Sequence, residues 1–220
     1  MERLNEQDKE QAVQLCKEVD HEWGIFHDML VESIASLLTF ISTQFGEREV
    51  GNALKVMTVK VWKVPFEKIN SRDRKSVVLA LAATWRAHST GGVGPDAGSF
   101  SVSEDDEKFT FQLHPCGSGQ RLWKRGYYEH PQKFGKTKAA HDWSFQRKDF
   151  PYYCAHCTYM NEILPIEWSG APIYPLDPPK EFSQPCTWYY YKNPENTPAR
   201  FYERYGYDKE EMLQKYQEKS

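Results

Sequence analysis

The apolar residues of this chain change their period once, and that change sets what it can fold into. Before residue 90 they recur at spacings of three and four, and from Phe100 they alternate with polar residues. The first is the signature of an amphipathic helix and the second that of a half-buried strand. Between them lies Thr90-Gly91-Gly92-Val93-Gly94-Pro95-Asp96-Ala97-Gly98, too rich in Gly and Pro for regular structure. Helices gathered first and strands after them predict an α+β fold, with a helical N-terminal half packed on a small antiparallel sheet.

Residues 5–19 are polar and read as a solvent-facing helix. A stronger helix is expected over 24–44, its inner stripe being Phe26, Leu30, Ile34, Leu37, Ile41 and Phe45. Gly46 ends it, and Glu47 and Glu49 open a further helix with acids at the positive end of its dipole. That helix uses Val50, Leu54, Met57 and Val61 and stops at Pro65. Ser71-Arg72-Asp73 caps another, whose inner face is Val78, Leu81, Trp85 and His88. Residues 100–103 and 109–113 form a hairpin around the acidic turn 104–107. Residues 117–150 hold no long periodic element and read as a long aromatic-rich loop region. A short helix follows over 154–163, ended before Pro165, then a short strand at 172–174 and a firm strand over 186–191. Residues 198–218 make a polar helix, or two divided at Gly206. The whole is read as a single α+β domain over 1–220: a polar helix at 1–22, a core at 23–192 and a helical tail at 193–220.

Composition narrows the function. A net charge of -3 and a pI near 6.2 argue against a nucleic-acid surface. No run approaches the roughly 20 apolar residues of a membrane span. The charged start Met1-Glu2-Arg3-Leu4 lacks the apolar core of a signal peptide, so a cytoplasmic location is expected. Five cysteines, an odd number, fit free thiols or metal ligands better than a disulfide framework. Of the 32 aromatic residues, 22 follow residue 122, so any aromatic-walled pocket belongs to the second half. Homo-oligomerisation is left open.

The chemistry concentrates at Cys154-Ala155-His156-Cys157 and His114-Pro115-Cys116-Gly117-Ser118-Gly119, with His141 between them. Cys116, Cys154 and Cys157 with His141 or His114 have the donor types for zinc, or for a cysteine-ligated iron centre. The same thiols beside His156 suit a nucleophile that needs no metal, or are simply small buried hydrophobes. Arg121, after the glycine turn, is a candidate for a substrate carboxylate. Glu162 and His156 are candidates for proton transfer. Tyr153 and Trp168 are the named substrate contacts within an aromatic wall. Asp20 and His27 form a weaker acid–base pair on the first helices.

Phe45-Gly46-Glu47 before an amphipathic helix, a hairpin ending at Cys116, Gly170-Ala171-Pro172 and the strand Cys186-Thr187-Trp188 together resemble the L-2-amino-thiazoline-4-carboxylic acid hydrolase-like proteins. More distantly they are similar to the four-vinyl-reductase-like small-molecule-binding domains. The resemblance covers roughly residues 25–192. It implies an α+β fold around a small-ligand cavity, and hydrolysis of a carbon–heteroatom bond in a small cysteine-like or aromatic acid. The pairing of His114–Cys116 with Cys154–Cys157 stands outside that family's pattern. The reading that follows is a zinc-dependent hydrolase or lyase acting on a small organic acid. Its alternatives are a non-catalytic ligand-binding module with a structural Cys/His metal site, and a metal-free cysteine-nucleophile enzyme.

Overall fold

The computed structural model describes residues 5–89, 91–92, 94, 97–181 and 183–217, so parts of the Gly-rich loop 90–98 and the expected helix end at 218 lie outside the described residues. Helices α1 (Glu6–Phe45), α2 (Glu47–Asn70) and α3 (Arg74–Thr84) make the N-terminal half. They pack on an antiparallel sheet of β1 (Phe100–Glu104), β2 (Lys108–Leu113), β3 (Leu176–Asp177) and β4 (Cys186–Tyr191), in the order β1-β2-β4-β3. The fold is α+β.

The two expected N-terminal helices are one. Asn5 caps it by accepting from the Asp8 backbone N–H while Asp8 accepts from that of Asn5, so the polar segment starts a 40-residue helix with no break before the apolar one. Its core-facing line is Gly24, His27, Val31, Ala35 and Leu38. The expected stripe is therefore wrong: Phe26, Leu30, Leu37 and Phe45 are exposed, and Ile34 and Ile41 are only partly buried. The helix carries two apolar lines at helical spacing, and the body packs against the one with the smaller side chains. By length and hydropathy α1 is the one described helix that could cross a membrane. In the fold its middle is tied down instead, by Arg121 on Asp28 and Arg125 on Glu32.

The second helix also outruns its expected end, continuing through Pro65 to Asn70. Proline removes one helical hydrogen bond. The neighbouring turn is exposed at Val61 and Val64, where water can solvate the freed carbonyl. Asp73 caps α3 through the Ser76 N–H at 3.1 Å. Val77, Leu81 and Trp85 are its buried side, and its last turn widens to a π-helix over Trp85–Ser89. Trp85 joins the helices to the sheet, with Phe111 at 3.8 Å and Trp188 at 5.6 Å between ring centroids.

Register places the sheet's buried face. Phe111 lies opposite Val102 and Trp188, and Leu113 opposite Phe100 and Cys186. A slip by one residue would turn this entire set outward. The expected strand at 172–174 is not paired; the third strand is Leu176–Asp177. Residues 117–150 contain a short helix, α4 (Gly119–Lys124), and a 3-10 turn, Asp142–Ser144. Residues 153–169 form one helical run: a 3-10 turn (Tyr153–Ala155), α5 (His156–Thr158), a π turn (Tyr159–Ile163) and α6 (Leu164–Ser169). The run passes Pro165 because the π turn has already shifted the hydrogen-bond ladder there. At the C-terminal end α7 (Arg200–Glu203) and α8 (Lys209–Gln217) are divided near Gly206, as expected.

Candidate functional site

Six segments surround a cavity of about 410 Å³: the π turn after α3, the turn into α4, the loop 145–151, the helical run from Tyr153, the stretch 174–180 and the inner face of β4. Its walls are Trp85, Phe145, Phe150, Tyr153, Tyr174 and Trp188, so its interior is apolar. Four of the five cysteines, Cys116, Cys154, Cys157 and Cys186, line it together with His88 and His156. Gly119 makes room for this: a Cβ there would sit 2.3 Å from the Cys154 sulfur.

One pair is aligned for chemistry. Cys157 Sγ lies 3.5 Å from His156 Nε2, and His156 Nδ1 is hydrogen-bonded to the Tyr153 carbonyl. A carbonyl only accepts, so Nδ1 carries the proton and Nε2 is left as an acceptor for the thiol. Burial lowers the His156 pKa, against the pull of the Tyr153 carbonyl. Burial, reinforced by the neighbouring thiols, pushes Cys157 well up. Burial and Cys116 do the same to Cys154. His88, desolvated and facing His156 and His27, falls to about 3. The resting pair is therefore a neutral thiol beside a neutral imidazole.

Among the described residues, two polar side chains in this apolar space have no protein partner. Asn161 has both carboxamide atoms buried and unbonded, and the Tyr128 hydroxyl is likewise unbonded. Both residues line the cavity. The π turn delivers Asn161, just as the other π turn delivers His88; such turns recur at functional sites. Lys136, Arg147, Lys148 and Lys180 also line the cavity, against one acid, Asp149.

Of the residues expected from sequence, the structure brings together Cys116, Cys154, Cys157, His156 and Tyr153. The others are engaged elsewhere. His141 is bonded to Glu47 and stacked on Trp143 at 4.6 Å. His114 is exposed at the end of β2, outside the cavity wall. Arg121, expected at a substrate carboxylate, is buried and grips Asp28 with contacts of 3.0 and 2.9 Å. Trp168 packs on Phe66 at 5.2 Å. Glu162 is fully buried behind the cavity wall and bonded to Arg204, Tyr205 and the Leu176 N–H. Its burial raises the carboxyl pKa while those partners pull it down. Asp20 is exposed, and His27 is buried against Ser118 at 3.1 Å, so these two do not act as a pair.

From the sequence alone His88 falls on an inner helix face and Cys186 in a strand, but neither of them, nor Arg147 or Asn161, was named as a site residue. His88 follows Leu81 and Trp85 at spacings of four and three, a sign that it faces inward. Nothing local marks Asn161. Among the described residues no three His, Cys, Asp or Glu side chains stand as a metal-binding group. Compared with family models, curated proteins and solved structures, the chain matches none.

Proposed function

We propose that this chain is a hydrolase or lyase that binds a small amphipathic organic acid in the cysteine-lined cavity and cleaves a carbon–heteroatom bond with Cys157 as nucleophile. The aligned Cys157–His156–Tyr153 carbonyl chain carries this reading. The apolar walls receive the ligand's body, and the cations around the cavity favour an anionic group. Asn161 and Tyr128 supply hydrogen bonds that only a ligand or water can complete.

The reaction follows from the proton positions. As Cys157 sulfur attacks an electrophilic carbon, its proton passes to His156 Nε2, and the imidazolium is steadied by the Tyr153 carbonyl at Nδ1. Breakdown expels the heteroatom, which takes the proton from Nε2. Water then attacks the carbon–sulfur intermediate, gives one proton to Nε2 and releases the acid, and Nε2 returns that proton to the thiolate. The neutral resting pair means that the ionic form arises only during attack, so reactivity depends on His156 as base.

p-Nitrophenyl acetate is a suitable first probe. A burst of nitrophenol with an acetyl group mapped to Cys157 is expected, reduced at least ~100-fold in Cys157→Ala and in His156→Ala. Turnover unchanged in both variants, or acylation confined to Cys16, would overturn the reading. If instead ligands bind and no burst appears, the chain is a binding module.

The convergence of four thiols on one cavity also favours a second reading, a soft-metal site with zinc ahead of iron. His114 and His141 are not placed to complete it, and among the described residues no three donors stand as a metal-binding group, so the thiols, with His156 beside them, would have to draw together around the ion. Elemental analysis with thiol titration tests it: one metal per chain, with thiols protected until a chelator is added, would establish this reading in place of the first.

A further inference from the structure

The core-facing line of α1 leaves its other apolar line uncovered. Cys16, Val19, Trp23, Phe26, Leu30, Ser33, Leu37 and Phe40 follow one another at alternating steps of three and four, and all eight are exposed. This is the seam of a two-stranded coiled coil, in which every such position faces a partner helix. In the first half of the helix every residue from 5 to 23 is exposed, although Trp23 at its end donates its Nε1–H to the Ala87 carbonyl at 2.7 Å. Most helical stability in proteins comes from packing of an apolar face, so a partner along this stretch would stabilise it.

We propose that α1 is the interface of a homodimer, two copies pairing in parallel along this seam. Six large apolar side chains of the seam, Val19, Trp23, Phe26, Leu30, Leu37 and Phe40, are each 42–64% exposed, a continuous surface of the kind that a stable interface covers at ~800 Å² per partner. Parallel pairing also sets the flanks without opposing two acids. Leu15 falls opposite Asp20 of the second copy, and Met29 opposite its partly buried Ile34. A membrane surface is the poorer occupant. Helices that lie on bilayers are rich in Lys and Arg beside the apolar face, and α1 has eight Asp or Glu against two Lys.

Sedimentation analysis of the full chain at micromolar concentration is expected to give twice the 25.8 kDa of one copy. The double variant Leu30→Glu, Leu37→Glu places charges in the seam. It should weaken association at least ~100-fold and leave the near-UV circular dichroism of the body unchanged. Mild oxidation should join the wild-type copies through Cys16, and Cys16→Ser should abolish that link. A wild-type monomer, a dimer indifferent to the two glutamates, or a monomer that co-sediments with phosphatidylcholine vesicles would each overturn the proposal. A dimer that lacks the Cys16 link would overturn the parallel arrangement.

Discussion

Asn161 is the residue whose role separates most cleanly from stability. Its backbone carbonyl accepts from the Ile173 N–H at 3.0 Å and holds the wall in place. Its side chain is buried with neither atom bonded. A buried amide left unsatisfied costs about 1–3 kcal/mol, and an apolar group of similar shape removes that cost. Asn161→Leu is therefore expected to raise the melting temperature while abolishing ligand binding, measured by thermal unfolding beside calorimetric titration with any acid that binds the wild type. A variant that loses stability while keeping its affinity would show that the carboxamide serves the fold. Removing a polar group built for structure does not stabilise a protein, so the pair of signs is the informative result.

At the scale of elements, Glu162 shows how a carboxylate beside a cysteine turn becomes a brace. It joins the π turn to α7 through Arg204 and to β3 through the Leu176 N–H. Glu162→Gln should leave the burst with p-nitrophenyl acetate intact per folded molecule. It should destabilise the protein by about 3 kcal/mol, because Arg204 keeps a largely buried charge without its partner, a loss that urea unfolding would register. Turnover falling at unchanged stability would restore Glu162 to the chemistry. Sequence could not make this distinction: spacing puts Glu162 near Cys157, but the π turn decides which of Asn161 and Glu162 faces the cavity. The hairpin, the Asp73 cap, the β4 strand and the break near Gly206 were all legible, because each depends on local period or local capping. The orientation of α1 was not. Phe26, Leu30 and Leu37 recur as regularly as His27, Val31 and Leu38, and only the body packed against the helix chooses between them. Likewise His141 and Arg121 looked available because Glu47 and Asp28, which occupy them, lie about ninety residues away in sequence.

Across the whole molecule, one electrostatic property is shared by three buried imidazoles. Burial is the largest cause lowering the pKa of His27, His88 and His156, and for His88 the value falls to about 3. In the unfolded chain each returns to about 6.5. Below that pH the unfolded state binds protons that the folded state refuses, so stability falls with falling pH until the folded values are reached. His88 alone, at a pH two units below its unfolded pKa, removes about 2–3 kcal/mol. Glu47, held low against its burial by the Lys138 N–H and then His141, and Asp177, held low against its burial by Arg200, add to the loss at still lower pH. The urea midpoint should therefore be level between about pH 7 and 8, fall above that as the buried thiols ionise only in the unfolded chain, and fall steadily from pH 6.5 to 4. His88→Gln, which cannot take up a proton, should flatten the upper part of that decline. The His156 imidazole likewise stays neutral in the folded state at neutral pH, so the acylation rate at Cys157 should hold to lower pH than an exposed histidine would allow. Stability and reactivity then separate on the acid side: the fold begins to weaken near pH 6.5, while His156 in the molecules still folded remains a competent base. A decline in acylation that tracks the unfolded value of 6.5, measured on protein shown to be folded, would mean that His156 is solvated rather than enclosed by the cavity.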